Sequence, residues 1–198
     1  MQDRTADLEL RERLGLIESM IAEGRRTTER WGWAFVLWGV VYCGAIAWSA
    51  LIHNGWPWLV CVAVGLIVSA VGASLKARHH PATMLGRAIS SIWIGLAISM
   101  TLLFTTLGVT GRLVDQHVSV AMAAAILGMA NGASGLLLRW KAQFACAVVW
   151  WAAAVAACFG SEEQSGIVFL AAIFLCQIVF GLYAMVAETR KRPGLSHA

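Results

Sequence analysis

Six stretches of the chain, each 19 to 22 residues long, contain no Asp, Glu, Lys or Arg. They are residues 31–52, 57–75, 88–109, 118–138, 142–160 and 167–187. About 20 apolar residues are needed to cross a bilayer, and in lipid such segments must be helical because every backbone N–H and C=O needs an internal partner. We therefore expect an all-α integral membrane protein with six transmembrane helices. The composition, 59% hydrophobic and 13% charged, fits that class and not a soluble domain.

The basic residues predict the orientation of these helices. They cluster before the first span, between the second and third, between the fourth and fifth, and after the sixth. The three opposite loops hold one basic residue, Arg112, with Asp115, Glu162 and Glu163. By the positive-inside rule, the chain forms three helical hairpins with both termini in the cytoplasm. We expect a multi-pass protein of a bacterial cytoplasmic (inner) membrane.

Three regions follow from this topology. Residues 1–30 form a cytoplasmic amphipathic helix and a basic juxtamembrane segment, 31–187 the six-helix bundle, and 188–198 a short basic cytoplasmic tail. The first span follows 30 mostly polar residues and is 22 residues long, which is too long for the apolar core of a cleaved signal peptide. Trp38, Trp93 and Trp150 stand in similar contexts, so a repeated hairpin remains open.

The segment before the first span has the spacing of a coiled-coil helix. Leu10, Leu14, Ile17 and Ile21 are separated by 4, 3 and 4 residues, and Gly24 is expected to end the helix. Residues 3–23 carry six acidic and three basic side chains. Helices that lie on the anionic inner leaflet are typically basic, so this stripe favours a protein partner or a second copy of the chain. Packing against the protein's own cytoplasmic loops is the alternative.

Residues 132–135, GASG, resemble the GxSG motif of the rhomboid intramembrane proteases, which also have six spans. In that family the serine lies near the outward end of the fourth span and pairs with a histidine in the sixth. Here Ser134 lies about 24 Å past Val118 at 1.5 Å per residue, near the cytoplasmic end, and residues 167–187 contain no histidine. A hydroxyl without a base is a weak nucleophile. We therefore expect no catalytic residue and no enzymatic activity.

Small residues at four-residue intervals instead predict helix packing. In membranes such ridges allow close backbone approach, and packing within the bundle is the simpler use of them. The ridges are Gly65, Ser69 and Ala73 in the second span, Ala124, Gly128 and Gly132 in the fourth, and Gly39, Cys43 and Ala47 in the first.

A few neutral polar or aromatic residues lie near the centres of their spans. They are Tyr42, Ser99, Trp150, Trp151 and Gln177. Buried indole N–H groups need acceptors, which a packed interior could supply. The alternative is an aromatic-walled pocket for a small uncharged molecule or a lipid.

Cofactors and metals are not expected. The five cysteines lie within spans without CxxC spacing, and the histidines lie in loops or the tail. By ligand type alone, His53, Asp115 and His117 are the candidates for a weak outer metal site.

These features predict a non-enzymatic membrane protein that acts as an interaction or regulatory subunit through its N-terminal helix, with no nucleic-acid partner. The alternative is a transporter, or the substrate-binding subunit of one, for a small uncharged molecule held at the midplane. The lack of ionisable residues in the spans disfavours charged substrates and proton coupling.

Overall fold

The computed structural model describes residues 2–77, 84–111 and 115–190, and within them the side chains of 11–26, 28–75, 84–111 and 115–190. All regular structure in these ranges is helical. The helices are α1 (Gln2–Arg30), α2 (Gly32–Ile52), α3 (Trp56–Ala77), α4 (Met84–Val109), α5 (Gln116–Leu137), α6 (Lys141–Phe159), α7 (Glu162–Ile173) and α8 (Phe180–Arg190), with a π-helical segment (Phe174–Val179) joining α7 to α8.

Six helical segments are long and apolar enough to cross a membrane. They are α2 to α6 and the continuous sixth span Glu162–Arg190, and each overlaps one of the charge-free stretches of the sequence. The chain is thus a multi-pass membrane protein. We call the end of the bundle where α1 meets α2 the α1 end, and the opposite end the far end.

The first helix extends further than its sequence predicts. The expectation that Gly24 ends it is wrong, because α1 continues through Gly24 to Arg30. A Cβ atom on Gly24 would lie 2.5 Å from Leu85 Cδ2 and 2.8 Å from Leu138 Cδ2. Glycine here allows α1 to contact the bundle, at a cost in helix propensity of about 1 kcal/mol relative to alanine.

The most extensive helix contact joins α5 to α6. The two are linked by a short turn in which Arg139 has a φ of 47° and the Trp140 N–H donates to the Gly135 carbonyl at 2.9 Å. A Cβ on Gly135 would lie 2.7 Å from the backbone nitrogen of Phe144. The small residues of α5 therefore set how closely these helices approach.

The interior lies between α5, α6, α2 and the sixth span. Trp150, Leu127 and Ile173 are among its fully enclosed side chains. The sixth span packs along α2, where a Cβ on Gly181 would lie 2.9 Å from the carbonyl oxygen of Gly32. By contrast, α3 and α4 are mostly exposed and lie at the edge of the bundle.

Candidate functional site

The apolar stripe of α1 is largely uncovered. Leu14 is 53% exposed and Ile17 is 51% exposed, while Ile21 is half-buried. The side chain of Leu10, also predicted to bind a partner, lies outside the described side chains. Half-exposed apolar side chains on a helix of this length form a surface that another helix or a lipid can cover.

The end of α1 nearest the bundle is held firmly. The guanidinium of Arg25 donates to the Arg139 carbonyl at 2.9 Å and lies 5.9 Å from the centre of the Trp140 ring. Thr28 and Glu29 are buried, and the Thr28 hydroxyl donates to the Gly24 carbonyl at 3.2 Å. One helix therefore combines an anchored C-terminal quarter with an exposed stripe.

The predicted packing residues lie at helix contacts. Ala124 is fully buried, and Cβ atoms on Gly128 and Gly132 would lie within 3.0 Å of the Trp151 indole. Gly65 lies against Val41 and Trp38 of α2. Ser69 and Ala73, further along α3, are half-buried. In the first span Gly39 lies against Ile178, Cys43 is half-buried, and Ala47 is exposed.

Ser134 of the GASG segment is completely enclosed. Its hydroxyl has no hydrogen-bond partner among the described residues. The glycines beside it lie against α6, Gly132 beside Trp151 and Gly135 beside the Phe144 backbone. The glycines of the segment thus lie within the α5–α6 contact.

The five midplane residues do not form one enclosed site. Trp150 is fully buried, Gln177 is 2% exposed and Tyr42 is 9% exposed. Trp151 is 40% exposed and Ser99 lies on the exposed face of α4. Of the five, only Trp150, Gln177 and Tyr42 lie in the interior. They come from α6, the π-helical segment and α2 respectively.

Three further polar residues are fully enclosed at the α5–α6 pair: Asn131, Ser134 and Gln143. Together with Trp150 they hold five side-chain atoms without a hydrogen-bond partner in the described structure. Asn131 satisfies only its amide nitrogen, which donates to the Leu127 carbonyl at 2.9 Å. The sequence carries a signal for two of them, since Asn131, Gln143 and Gln177 are the only Asn or Gln residues in the six charge-free stretches. Asn131 and Gln143 lie off-centre in their spans, towards the α1 end, so a search for polar residues at span centres does not find them.

Two of the three metal-ligand candidates, Asp115 and His117, have structural partners. Asp115 caps α5 by accepting from the backbone N–H of His117 at 2.8 Å, and His117 Nδ1 lies 2.9 Å from the Ala157 carbonyl. His53 ends α2 in the left-handed conformation. Across the described residues, no three His, Cys, Asp or Glu side chains are grouped so that they could hold a metal ion.

No family model, curated protein or solved structure matches this chain.

Proposed function

We propose that this chain is a non-catalytic membrane subunit that assembles through the exposed stripe of α1. The observation that carries the proposal is the contrast within one helix, in which Gly24, Thr28 and Glu29 are buried while Leu14 and Ile17 are half exposed. A helix held at one end presents its other part in a fixed direction. Pre-organisation of this kind lowers the entropic cost of binding.

The occupant we propose is the same stripe of a second copy. When Leu14 and Ile17 occupy the a and d positions of a heptad, Arg13 and Glu18 take the flanking g and e positions. In a parallel pair, the g residue of one helix faces the e residue of the next heptad in its partner, so Arg13 and Glu18 would form two complementary pairs. Parallel alignment is expected because both copies emerge from the same side of one membrane.

Charge argues against the membrane surface as the occupant. Residues 3–23 have six acidic and three basic side chains, and an anionic leaflet would repel this excess. Two heptads are short for a free coiled coil, but confinement to one membrane raises the effective concentration of the second helix.

The proposal includes the orientation with both termini in the cytoplasm of a bacterial cell and the arrangement in three hairpins. The basic residues Arg25, Arg26, Arg139 and Lys141, near the α1 end, support it. The Ser134 hydroxyl has no hydrogen-bond partner among the described residues, so no base activates it as a nucleophile, which supports the non-catalytic assignment.

The test is the mass of the purified full chain in mild detergent, by light scattering with the detergent contribution subtracted. We expect a dimer for the unmodified chain and a monomer for the Leu14→Asp, Ile17→Asp double variant. The matched control is Leu16→Asp. Leu16 is 64% exposed but lies outside the a and d positions, so this change should leave the dimer intact.

A charge swap identifies the partner. Arg13→Glu should weaken the dimer by placing like charges opposite each other, and adding Glu18→Arg should restore it, since only a second copy would carry both changes. Monomers at all concentrations would overturn the proposed dimer. Equal loss of the dimer in Leu16→Asp and in the Leu14→Asp, Ile17→Asp double variant would indicate lipid as the occupant of the stripe.

A further inference from the structure

The side of the α5–α6 pair that faces the bundle interior contains polar atoms without a hydrogen-bond partner among the described residues. The residues that carry these atoms have no exposed surface. These atoms are Asn131 Oδ1, Ser134 Oγ, Gln143 Nε2, Gln143 Oε1 and Trp150 Nε1. All four residues are 0% exposed. A buried polar group without a partner costs about 1–3 kcal/mol, so native proteins rarely leave several together.

The helix register places these atoms in one group. Gly135 lies against Phe144, Gly132 against Ala147 and Gly128 against Trp151, so α5 and α6 keep a single antiparallel alignment over this length. In that alignment Ser134 and Gln143 differ in depth by about 3 Å, and so do Asn131 and Trp150. The four residues span about 10 Å along the pair.

The same four residues share one side of the pair. On α5 the buried residues Leu127, Asn131 and Ser134 form a stripe about 100° from the glycine face that contacts α6. On α6, Gln143 and Trp150 form a stripe turned by a similar angle from the face that contacts α5. For antiparallel helices these two stripes face the same direction, which is the interior of the bundle. We call this group the polar seam.

The polar seam has different surroundings at its two ends. Next to Trp150 on the side away from Asn131, the buried residues Leu127, Ala153 and Phe169 are apolar. Towards the α1 end, Gln143 is two residues from Lys141, which lines an open cleft. The other residues of that cleft are Arg25, Arg139, Trp140, Ala142 and Tyr183. By depth, the end of the seam with Ser134 and Gln143 is the one nearer to this cleft, and the end with Trp150 lies near mid-depth.

We propose that the polar seam is a binding site for a small uncharged molecule that both donates and accepts hydrogen bonds, of which water is the smallest. The unpartnered atoms include donors on Trp150 and Gln143 and acceptors on Asn131 and Gln143, and the Ser134 hydroxyl can do either. The two spans contribute no carboxylate or basic side chain to the seam, so an ion would lack a countercharge there. This site is independent of the α1 interface proposed above.

The experiment measures how quickly the neutral, water-soluble thiol reagent hydroxyethyl methanethiosulfonate labels cysteines in the full-length folded chain. Ser134→Cys places a thiol in the seam, and Leu127→Cys places one on the same face of the same helix beyond Asn131. Both positions have at most 1% exposure. Peptide mass spectrometry reads each site separately from the native cysteines.

We expect the thiol at position 134 to react at least about tenfold faster than the one at 127, because thiolate formation and reagent entry both need a hydrated path. Protection by acetamide would identify a small solute as the occupant, and lack of protection would assign the site to water. Equally slow labelling at both positions would overturn the proposal. Equally fast labelling would also overturn it, since the whole interior would then be open.

A second measurement does not depend on introduced cysteines. If a bound molecule satisfies Gln143, then Gln143→Leu leaves its other partners unpaired and lowers the midpoint of thermal unfolding. If the seam is dry, the same change removes an unpaired polar group and raises the midpoint, as Ser134→Ala would also do. A raised midpoint for both variants would overturn the proposal.

Discussion

Two neighbouring spans, α4 and α5, differ sharply in what covers them. Of the most apolar stretch of α5, 56% is buried inside the bundle, against 6% for α4, although α4 is the more apolar of the two. In water the more apolar helix would be the one buried. In lipid, both environments are apolar, so helices associate through close packing, which α5 achieves with alanine and glycine. The large residues of α4, such as Ile94, Ile98 and Leu102, are more than half exposed.

The largest effect of this difference should come from truncating a leucine in each span. Leu127 on α5 is 1% exposed, and Leu102 on α4 is 64% exposed. We expect Leu127→Ala to lower the free energy of unfolding by about 2 kcal/mol or more, through the cavity it leaves. Leu102→Ala should change it little, because lipid fills the space. Unfolding by titration with a denaturing detergent measures both, and equal effects would contradict the proposed edge position of α4.

A smaller effect is expected from adding one methyl group to a glycine in each span. A Cβ on Gly135 would lie 2.7 Å from backbone of Phe144, which cannot move without displacing α6, while Gly95 on α4 has nothing within 4 Å. Gly135→Ala should therefore destabilise the chain by about 1–3 kcal/mol. Gly95→Ala should leave stability unchanged or slightly raised. The same detergent titration compares them, and tolerance of alanine at 135 would show that the α5–α6 contact is looser than described.

The smallest effect concerns adjacent arginines at the anchored part of α1. Arg25 bonds the Arg139 carbonyl and faces Trp140, whereas the side chain of Arg26 is 63% exposed and lies 4.0 Å from Glu23. Arg25→Ala should free the end of α1 at a cost of about 1 kcal/mol, because this hydrogen bond is exposed to solvent. Arg26→Ala should cost less than 1 kcal/mol, or about nothing. Faster amide hydrogen exchange in residues 24–30 for the first variant alone is the expected outcome.

The sequence predicted the positions of the six spans, because a run without charge has few alternatives in a membrane. The expected stretch 118–138, for example, corresponds to α5 at Gln116–Leu137. It could not rank the contacts between helices. The dominant α5–α6 contact joins helices from different predicted hairpins, and it depends on how glycines meet Trp151 and Phe144 across the pair.

The candidate sites were less accessible to sequence reasoning. Heptad spacing located Leu14 and Ile17, but whether α1 continued past Gly24 depended on Leu85 and Leu138, which are distant in sequence. The polar seam was not predicted because enclosure by neighbouring helices cannot be estimated from sequence alone. Only the depth of a residue along its span can be estimated in that way. Asn131 and Gln143 are off-centre in their spans, yet they are 0% exposed.

The π-helical segment Phe174–Val179 has a consequence for the helical phase of the sixth span. Ser165 and Ala184 are both fully buried and 19 residues apart, or about 5.3 turns of a regular α-helix, which would place them about 100° apart. A π-helical turn accommodates one extra residue without advancing the face, which returns the two to alignment. Deleting a single residue from 174–179 would leave Ser165 and Ala184 18 residues apart, which is five turns of a regular α-helix, so α8 should keep Gly181 against Gly32 without the π-helical turn. The π-helical turn therefore keeps the two halves of this span facing the same interior despite the additional residue.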